Sequence, residues 1–351
     1  MPPAGSLVHV KVQKVLLAEP RGFCAGVEMA IKALEWVVRI FEPPVYCYHQ
    51  IVHNEQVVSR FEQLGVVFVD DLAQVPDGAP LVLSAHGAAP SVVAAARERS
   101  GALVNAVCPL VTKVHREIKV RAERGYEILY VGHHGHEEAI GATAVAPDAT
   151  HLIETEGDLD AVQLSGSPTA LVAQTTLSHD EWQHLASKAR ERFDDLWMPA
   201  RGDLCFATTN RQAALKAIAG RSDAIIVIGS ASSSNTLALE KVARSSGCQL
   251  VKRVDSPREL PPELSGIVGV TAGASAPQQL VEEVLTALDP VDGIEEIATT
   301  VEDEYFPPPP DLRELLRNLA LVTAVSVAAP AGPTNVLEDD RSVPAFIQAG
   351  S

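Results

Sequence analysis

Three cysteines share a setting that suits metal ligation. Cys24 stands in Pro20-Arg21-Gly22-Phe23-Cys24-Ala25-Gly26, Cys108 in Cys108-Pro109-Leu110-Val111-Thr112, and Cys205 in Cys205-Phe206-Ala207-Thr208-Thr209-Asn210, each just ahead of a helix-like segment. A thiol beside a helix N-terminus ionises more readily and is the better metal ligand, whereas a lone cysteine is ordinarily an inert buried side chain. Recurrence of the placement favours ligation. Three thiolates fall one short of an electron-transfer cluster's four, and no Cys-x-x-Cys spacing occurs, so they suit a four-iron cluster with one iron open to a substrate. Cys47, in the alternating Val45-Tyr46-Cys47-Tyr48, and Cys248, after Gly247, read as core or surface thiols.

A second group of residues could hold an anion. His53 in Ile51-Val52-His53-Asn54, His86 in Ser84-Ala85-His86-Gly87 and His136 in Gly135-His136-Glu137-Glu138 all follow strand-like runs. Ser233-Ser234-Asn235 opens a helix, and Ser275 in Ala274-Ser275-Ala276-Pro277 is similarly placed. Such donors and the N–H groups of helix N-termini bind phosphate without Lys or Arg, although capping alone would explain any one of them. Glu138 lies two residues after His136, so on an extended loop both would face one side, where a partly dry carboxyl could deliver protons. A solvated surface glutamate has the same spacing. Thr175, in Gln174-Thr175-Thr176-Leu177-Ser178, could bond a substrate hydroxyl or cap the next helix. A zinc hydrolase using His133, His134 and His136 fits less well: adjacent histidines on a short loop match zinc spacings poorly, and the cysteines would have no role.

These side chains need a frame, and short β-branched runs alternate with helix-period segments along most of the chain. Buried strands are expected at 12–17, 81–84, 128–131, 170–173, 224–228 and 267–270, with helices at 27–40, 91–98, 113–124, 179–193, 210–219 and 235–245. This alternation indicates an α/β fold with mainly parallel sheets, whose ligands bind beyond the carboxyl ends of the strands. The cysteine spacings, 108 − 24 = 84 and 205 − 108 = 97, suggest three similar α/β lobes that each offer one sulfur to a common centre. The expected domains are 12–107, 108–204 and 205–290, followed by an extension over 291–351. Within that extension, 294–311 reads as an extended connector, because Pro307 to Pro310 suit neither helix nor central strand. The last thirty or so residues have no assigned structure.

Composition excludes several classes. The 351 residues carry a formal charge of 28 − 45 = −17, without the basic cluster that nucleic acid requires. Five cysteines over such a length do not make a secreted disulfide framework. No membrane anchor or signal peptide is expected, and the cytoplasm is the expected location.

The ordered set Pro-Arg-Gly-Phe-Cys-Ala-Gly, Ile-Val-His-Asn, Ser-Ala-His-Gly, Cys-Pro-Leu-Val-Thr-Lys-Val-His, Gly-His-x-Gly-His, Gln-Thr-Thr-Leu-Ser, Ala-Thr-Thr-Asn-Arg-Gln, Ser-Ser-Asn and Val-Thr-Ala-Gly-Ala-Ser-Ala-Pro resembles the 4-hydroxy-3-methylbut-2-enyl diphosphate reductase family over residues 15–313. The resemblance implies a trefoil of three α/β domains around one [4Fe–4S] cluster per chain, ligated by Cys24, Cys108 and Cys205. It implies that His53, His86, His136, Thr175, Ser233, Ser234, Asn235 and Ser275 contact the allylic diphosphate, and that Glu138, Thr175 and His136 serve catalysis. The reaction implied is reductive removal of the hydroxyl to give isopentenyl and dimethylallyl diphosphate, the last step of the methylerythritol phosphate pathway. Electrons would come from ferredoxin or flavodoxin, since the chain has no Gly-x-Gly-x-x-Gly of its own. The chain departs from the family at Glu137, where Pro is usual, at Val107, where Thr is common, and over residues 141–144. A catalytically idle relative would share these motifs, and only turnover separates the two.

Overall fold

The structure, a computed structural model, describes residues 11–166, 168–200 and 202–326. Two compact units partition them: 11–23 with 206–302, and 24–205 with 303–326. The chain opens with β1 (Val12–Glu19) and α1 (Ala25–Ile40), then runs β2 (Val45–Tyr48), α2 (Glu55–Gln63), β3 (Val66–Val69), β4 (Pro80–Leu83), α3 (Pro90–Arg99) and β5 (Ala102–Asn105). Strands β2 to β5 form a parallel sheet in the order β3-β2-β4-β5. Next come α4 (Pro109–Glu123), β6 (Glu127–Val131), α5 (Glu137–Thr143), β7 (Thr150–Ile153), α6 (Glu156–Ala161), β8 (Thr169–Ala173), α7 (His179–Arg192) and β9 (Leu196–Trp197), whose strands make a second parallel sheet, β7-β6-β8-β9. Both sheets belong to the second unit.

The chain then passes through α8 (Phe206–Ala219), β10 (Ala224–Ile228), α9 (Ser234–Ser245), β11 (Leu250–Val254), β12 (Gly266–Ala272), α10 (Gln278–Leu288), β13 (Ile294–Ala298) and α11 (Pro310–Ser326). Its four strands join β1 in a third sheet, β11-β10-β12-β1-β13, again parallel. Every residue of β8 and β10 is buried, which is why both read as unbroken apolar runs rather than alternating ones. The expected α/β class with three parallel sheets is thus observed. Among the described residues no helix is long and apolar enough to cross a membrane.

Three expectations need correction. The first strand does not belong with residues up to 107: Val15 pairs with Val268 on one side and Ile294 on the other, which places β1 in the sheet of the third lobe. A buried strand must pair the backbone N–H and C=O groups on both of its edges, but local sequence does not specify with which strands, and these come from residues far along the chain. Second, residues 294–298 of the expected connector are an edge strand. Its acidic side chains meet basic partners, with Glu296 2.8 Å from Arg21 and Glu295 3.0 Å from Arg221, and such charges protect an edge from further pairing. Third, Pro310 opens a helix, because the first turn needs no donor from its N–H. That turn is anchored where Asp311 accepts the Asn105 N–H at 3.1 Å. Residues 327–351, and with them most of the unassigned tail, lie outside the described residues.

Arg211 on α8 fastens the segment that leads to Cys24. Its fully buried guanidinium donates to the carbonyls of Gly22 at 2.9 and 3.1 Å and Phe23 at 3.2 Å, and to both Glu302 oxygens at 3.0 Å. Removing the carboxylate strands a buried cation, a loss of about 3–5 kcal/mol. Glu302→Ala should therefore lower the unfolding free energy of the unit by that amount, as read from urea denaturation followed by circular dichroism.

Candidate active site

Cys24 and Cys108 are the N-cap residues of α1 and α4, and Cys205 immediately precedes α8, as the sequence pattern requires. All three lie in the second unit. The Cys108 N–H donates to Ala85 O at 3.0 Å, which ties this cysteine to the loop carrying His86, and the Cys205 N–H donates to Thr175 O at 3.1 Å. Burial pushes the Cys108 thiol far up from its ordinary range, and the sulfurs of Cys24 and Cys205 push it further, against the N–H groups of Leu110 and Val111 that favour the thiolate. The three sulfurs therefore share one electrostatic neighbourhood. Gly26 supplies the room: a Cβ there would stand 2.7 Å from Cys108 Sγ and 3.9 Å from Cys24 Sγ.

This donor set fits a polynuclear iron group. Crowded buried thiols resist ionisation on their own, and a cationic metal centre removes that resistance because it binds the thiolate form. Cys47 is fully buried in β2, and among the described residues the Cys248 thiol faces the backbone carbonyls of Ser222, Asp223 and Leu250.

The three expected histidines converge in the same unit. The rings of His53 and His86 stack at 3.9 Å with 12° between planes, and His136 lies edge-on at 5.6 Å from the first and 6.2 Å from the second. Burial, reinforced by neighbouring imidazoles, lowers His53 to about 3 and His136 to about 4. Both are neutral near pH 7 and can each present one N–H donor. Glu137 was noted in the sequence only as a departure, yet it enters this cluster, its Oε2 2.9 Å from His86 Nδ1 and its Oε1 3.7 Å from His49 Nδ1. Burial opposes its ionisation, but His86 and then His53 and His49 prevail and hold the carboxyl at about 2.

His136 and Glu138 do not share an extended loop. The chain turns through Gly135 at φ 76°, and His136 then caps α5, its Nδ1 accepting the Glu138 N–H at 3.1 Å. Glu138 lies inside that helix and is only 2 % exposed. Its Oε1 accepts the Thr175 N–H at 2.8 Å and its Oε2 the Thr175 hydroxyl at 2.9 Å. Burial raises the Glu138 carboxyl to about 7, with Thr175 pulling it down and Asp203 adding a smaller push upward. Asp203, which sequence reading passed over, is buried and accepts the Ala173 N–H at 3.0 Å, with Lys113 3.3 Å away. No local pattern marks it, because its partners come from β8 and α4.

The remaining candidates gather in the other unit, beyond the carboxyl ends of β10 and β12. Ser233 caps α9 by accepting the Thr236 N–H at 3.3 Å, so capping accounts for this residue. Capping does not account for the rest: Asn235 accepts the Ala274 N–H at 2.8 Å and donates to Thr208 at 3.2 Å, and the Ser275 hydroxyl lies 3.3 Å from that of Ser233. Ser234 is buried beside them. Close approach of the two loops requires Gly273, where a Cβ would meet Thr236 Oγ1 at 2.1 Å.

Comparison with known proteins follows the same lines. The profile of the family described as LytB protein matches residues 15–289. A 4-hydroxy-3-methylbut-2-enyl diphosphate reductase of Leifsonia xyli subsp. xyli is 45% identical over 314 residues, covering 88% of this chain and 93% of its own length. The reductase of the same description from Mycolicibacterium paratuberculosis is 43% identical, covering 89% of this chain and 97% of its own. Among solved structures, the E-1-hydroxy-2-methyl-but-2-enyl-4-diphosphate reductase from Plasmodium falciparum superposes with a TM-score of 0.84 at 32% identity, over 88% of this chain and 99% of that one. A second, described as (E)-4-hydroxy-3-methyl-but-2-enyl diphosphate reductase, the terminal enzyme of the non-mevalonate pathway, gives a TM-score of 0.57 at 28% identity, over 79% and 99% of the two chains.

Proposed function

The chain belongs to the LytB protein family, and from that premise we propose that it removes the hydroxyl of 4-hydroxy-3-methylbut-2-enyl diphosphate reductively, yielding isopentenyl and dimethylallyl diphosphate. What carries the assignment is the approach of the Cys108 and Cys24 sulfurs around Gly26, 2.7 and 3.9 Å from a Cβ placed there, in the unit that also holds Cys205 and the Glu138–Thr175 pair. Cys24, Cys108 and Cys205 would hold a [4Fe–4S] cluster, one per chain. When bound, that cluster supplies single electrons and a Lewis-acidic iron for the hydroxyl being expelled.

The protein's own part is binding, orientation and proton supply. His53, His86 and His136 donate to phosphate oxygens, and Ser233, Ser234, Asn235 and Ser275 are the substrate-binding residues carried by the other unit. No Lys or Arg is needed, since neutral N–H and O–H donors and the α9 N-terminus suffice for an anion. Thr175 orders the substrate hydroxyl through its own hydroxyl, which Glu138 keeps in place at 2.9 Å. Glu138 is the proton store: held to about 7, it is substantially protonated near neutral pH and can release a proton through Thr175 to the departing oxygen. The donor of electrons is an external ferredoxin or flavodoxin, and the cytoplasm is the place of action.

Anaerobic purification, determination of iron and sulfide, and addition of substrate with reduced methyl viologen test this. A brown protein that consumes the diphosphate is expected, and a colourless protein that resists reconstitution overturns it. A brown, inactive protein indicates the idle relative. Gly26→Ala provides a local check: its new methyl collides with Cys108 Sγ, so iron content should drop severalfold while far-UV circular dichroism is unchanged.

A further inference from the structure

None of these roles uses Glu137. It is the first residue of α5 and the one carboxylate among the described residues placed against the His53–His86 stack. Its Oε2 and His86 Nδ1, both buried atoms, are 2.9 Å apart. A carboxylate oxygen and an imidazole nitrogen thus border one small space. A ring nitrogen of His53 borders it too: one donor atom from each of His53, His86 and Glu137 lies within 4.8 Å of the other two.

We propose that His53, His86 and Glu137 bind one divalent transition-metal ion of the zinc class, separate from the group held by the three cysteines. Two imidazoles and one carboxylate are a common donor set for zinc. Mg²⁺ and Ca²⁺ favour oxygen ligands and are the weaker candidates. A tetrahedral shell with bonds of about 2.0–2.2 Å puts donor atoms about 3.3–3.6 Å apart, within reach of the observed separations by small side-chain rotations. Stacking of the two half-buried rings limits larger movements, so the site is largely organised before the ion arrives. Three protein ligands leave a fourth position open, and a phosphate oxygen is the ligand of matching chemistry. The identity of that fourth ligand rests on the proposed diphosphate reading; binding of the ion does not. With the ion in place the negative charge of Glu137 no longer opposes an anionic substrate, which resolves why a carboxylate sits among phosphate donors.

The test is an anaerobic calorimetric titration of Zn²⁺ into holoenzyme whose cysteines already carry their iron group and whose loosely held metal has been removed on chelating resin. One Zn²⁺ per chain is expected beyond the iron. Glu137→Gln should weaken uptake roughly 100-fold or more, since even loss of an outer-shell partner costs 10–100-fold. The visible absorption of the iron group, unchanged in the variant, would show that it folds. Co²⁺ in place of Zn²⁺ provides a second readout, with nitrogen couplings from two imidazoles expected by electron–nuclear double resonance. Absence of stoichiometric uptake, uptake indifferent to Glu137→Gln, or Co²⁺ without imidazole couplings overturns the proposal. Colour and turnover of the zinc-free holoenzyme test the reductase reading separately, so either can fail while the other stands.

Discussion

Cys108→Ser protein is expected to leave an anaerobic column colourless and to turn over no allylic diphosphate. Cys108 feels the charges of both Cys24 and Cys205, and its sulfur lies nearest the space that Gly26 leaves open. A serine hydroxyl is far less acidic than a thiol and too hard a donor to replace thiolate on iron. Two remaining thiolates cannot retain a four-iron group, so iron and acid-labile sulfide should both fall to background. The fold should persist, since the Cys108 N–H donates to Ala85 O from the backbone and keeps that bond in the variant. Circular dichroism and elution volume like those of the parent would separate loss of the metal group from loss of structure. A brown Cys108→Ser protein with four irons would remove Cys108 from the ligand set.

Glu138→Gln is expected to lower kcat by about 10²–10⁴-fold, the usual contribution of a positioned proton donor, while KM changes little and iron content is unchanged. The amide is nearly isosteric. Its oxygen can still accept the Thr175 N–H that Glu138 accepts at 2.8 Å, so α5 and the loop after β8 should stay in register. What disappears is the transferable proton. Steady-state rates with reduced methyl viologen decide the matter. A kcat within threefold of the parent would reduce Glu138 to a structural partner of Thr175. Loss of kcat together with loss of iron would instead point to misplacement of the Cys205 segment, whose N–H is bonded to Thr175 O.

Much of this architecture is legible locally. The strand expected at 224–228 is β10 to the residue, and the helix expected at 235–245 differs from α9 by one residue, because hydrophobic period and small capping residues act over a few positions of chain. The placement of Cys24 and Cys108 at helix starts is legible for the same reason. Glu138 is legible as a candidate but its backbone is not: residues 136–138 form a cap and first helical turn, so His136 and Glu138 serve different partners.

By itself, then, the sequence determined the class of fold, the family and the residues with chemistry to offer, since these follow from residue type, short-range periodicity and motif order. Tertiary structure alone decided which side chains meet. It paired β1 with strands more than 240 residues away, brought Asp203 beneath β8 and α4, and set Glu137 against His86 and His49. Such contacts depend on strand order and helix packing across the whole chain, and the energies that select them, burial of apolar faces and pairing of buried polar groups, have no local periodicity to read.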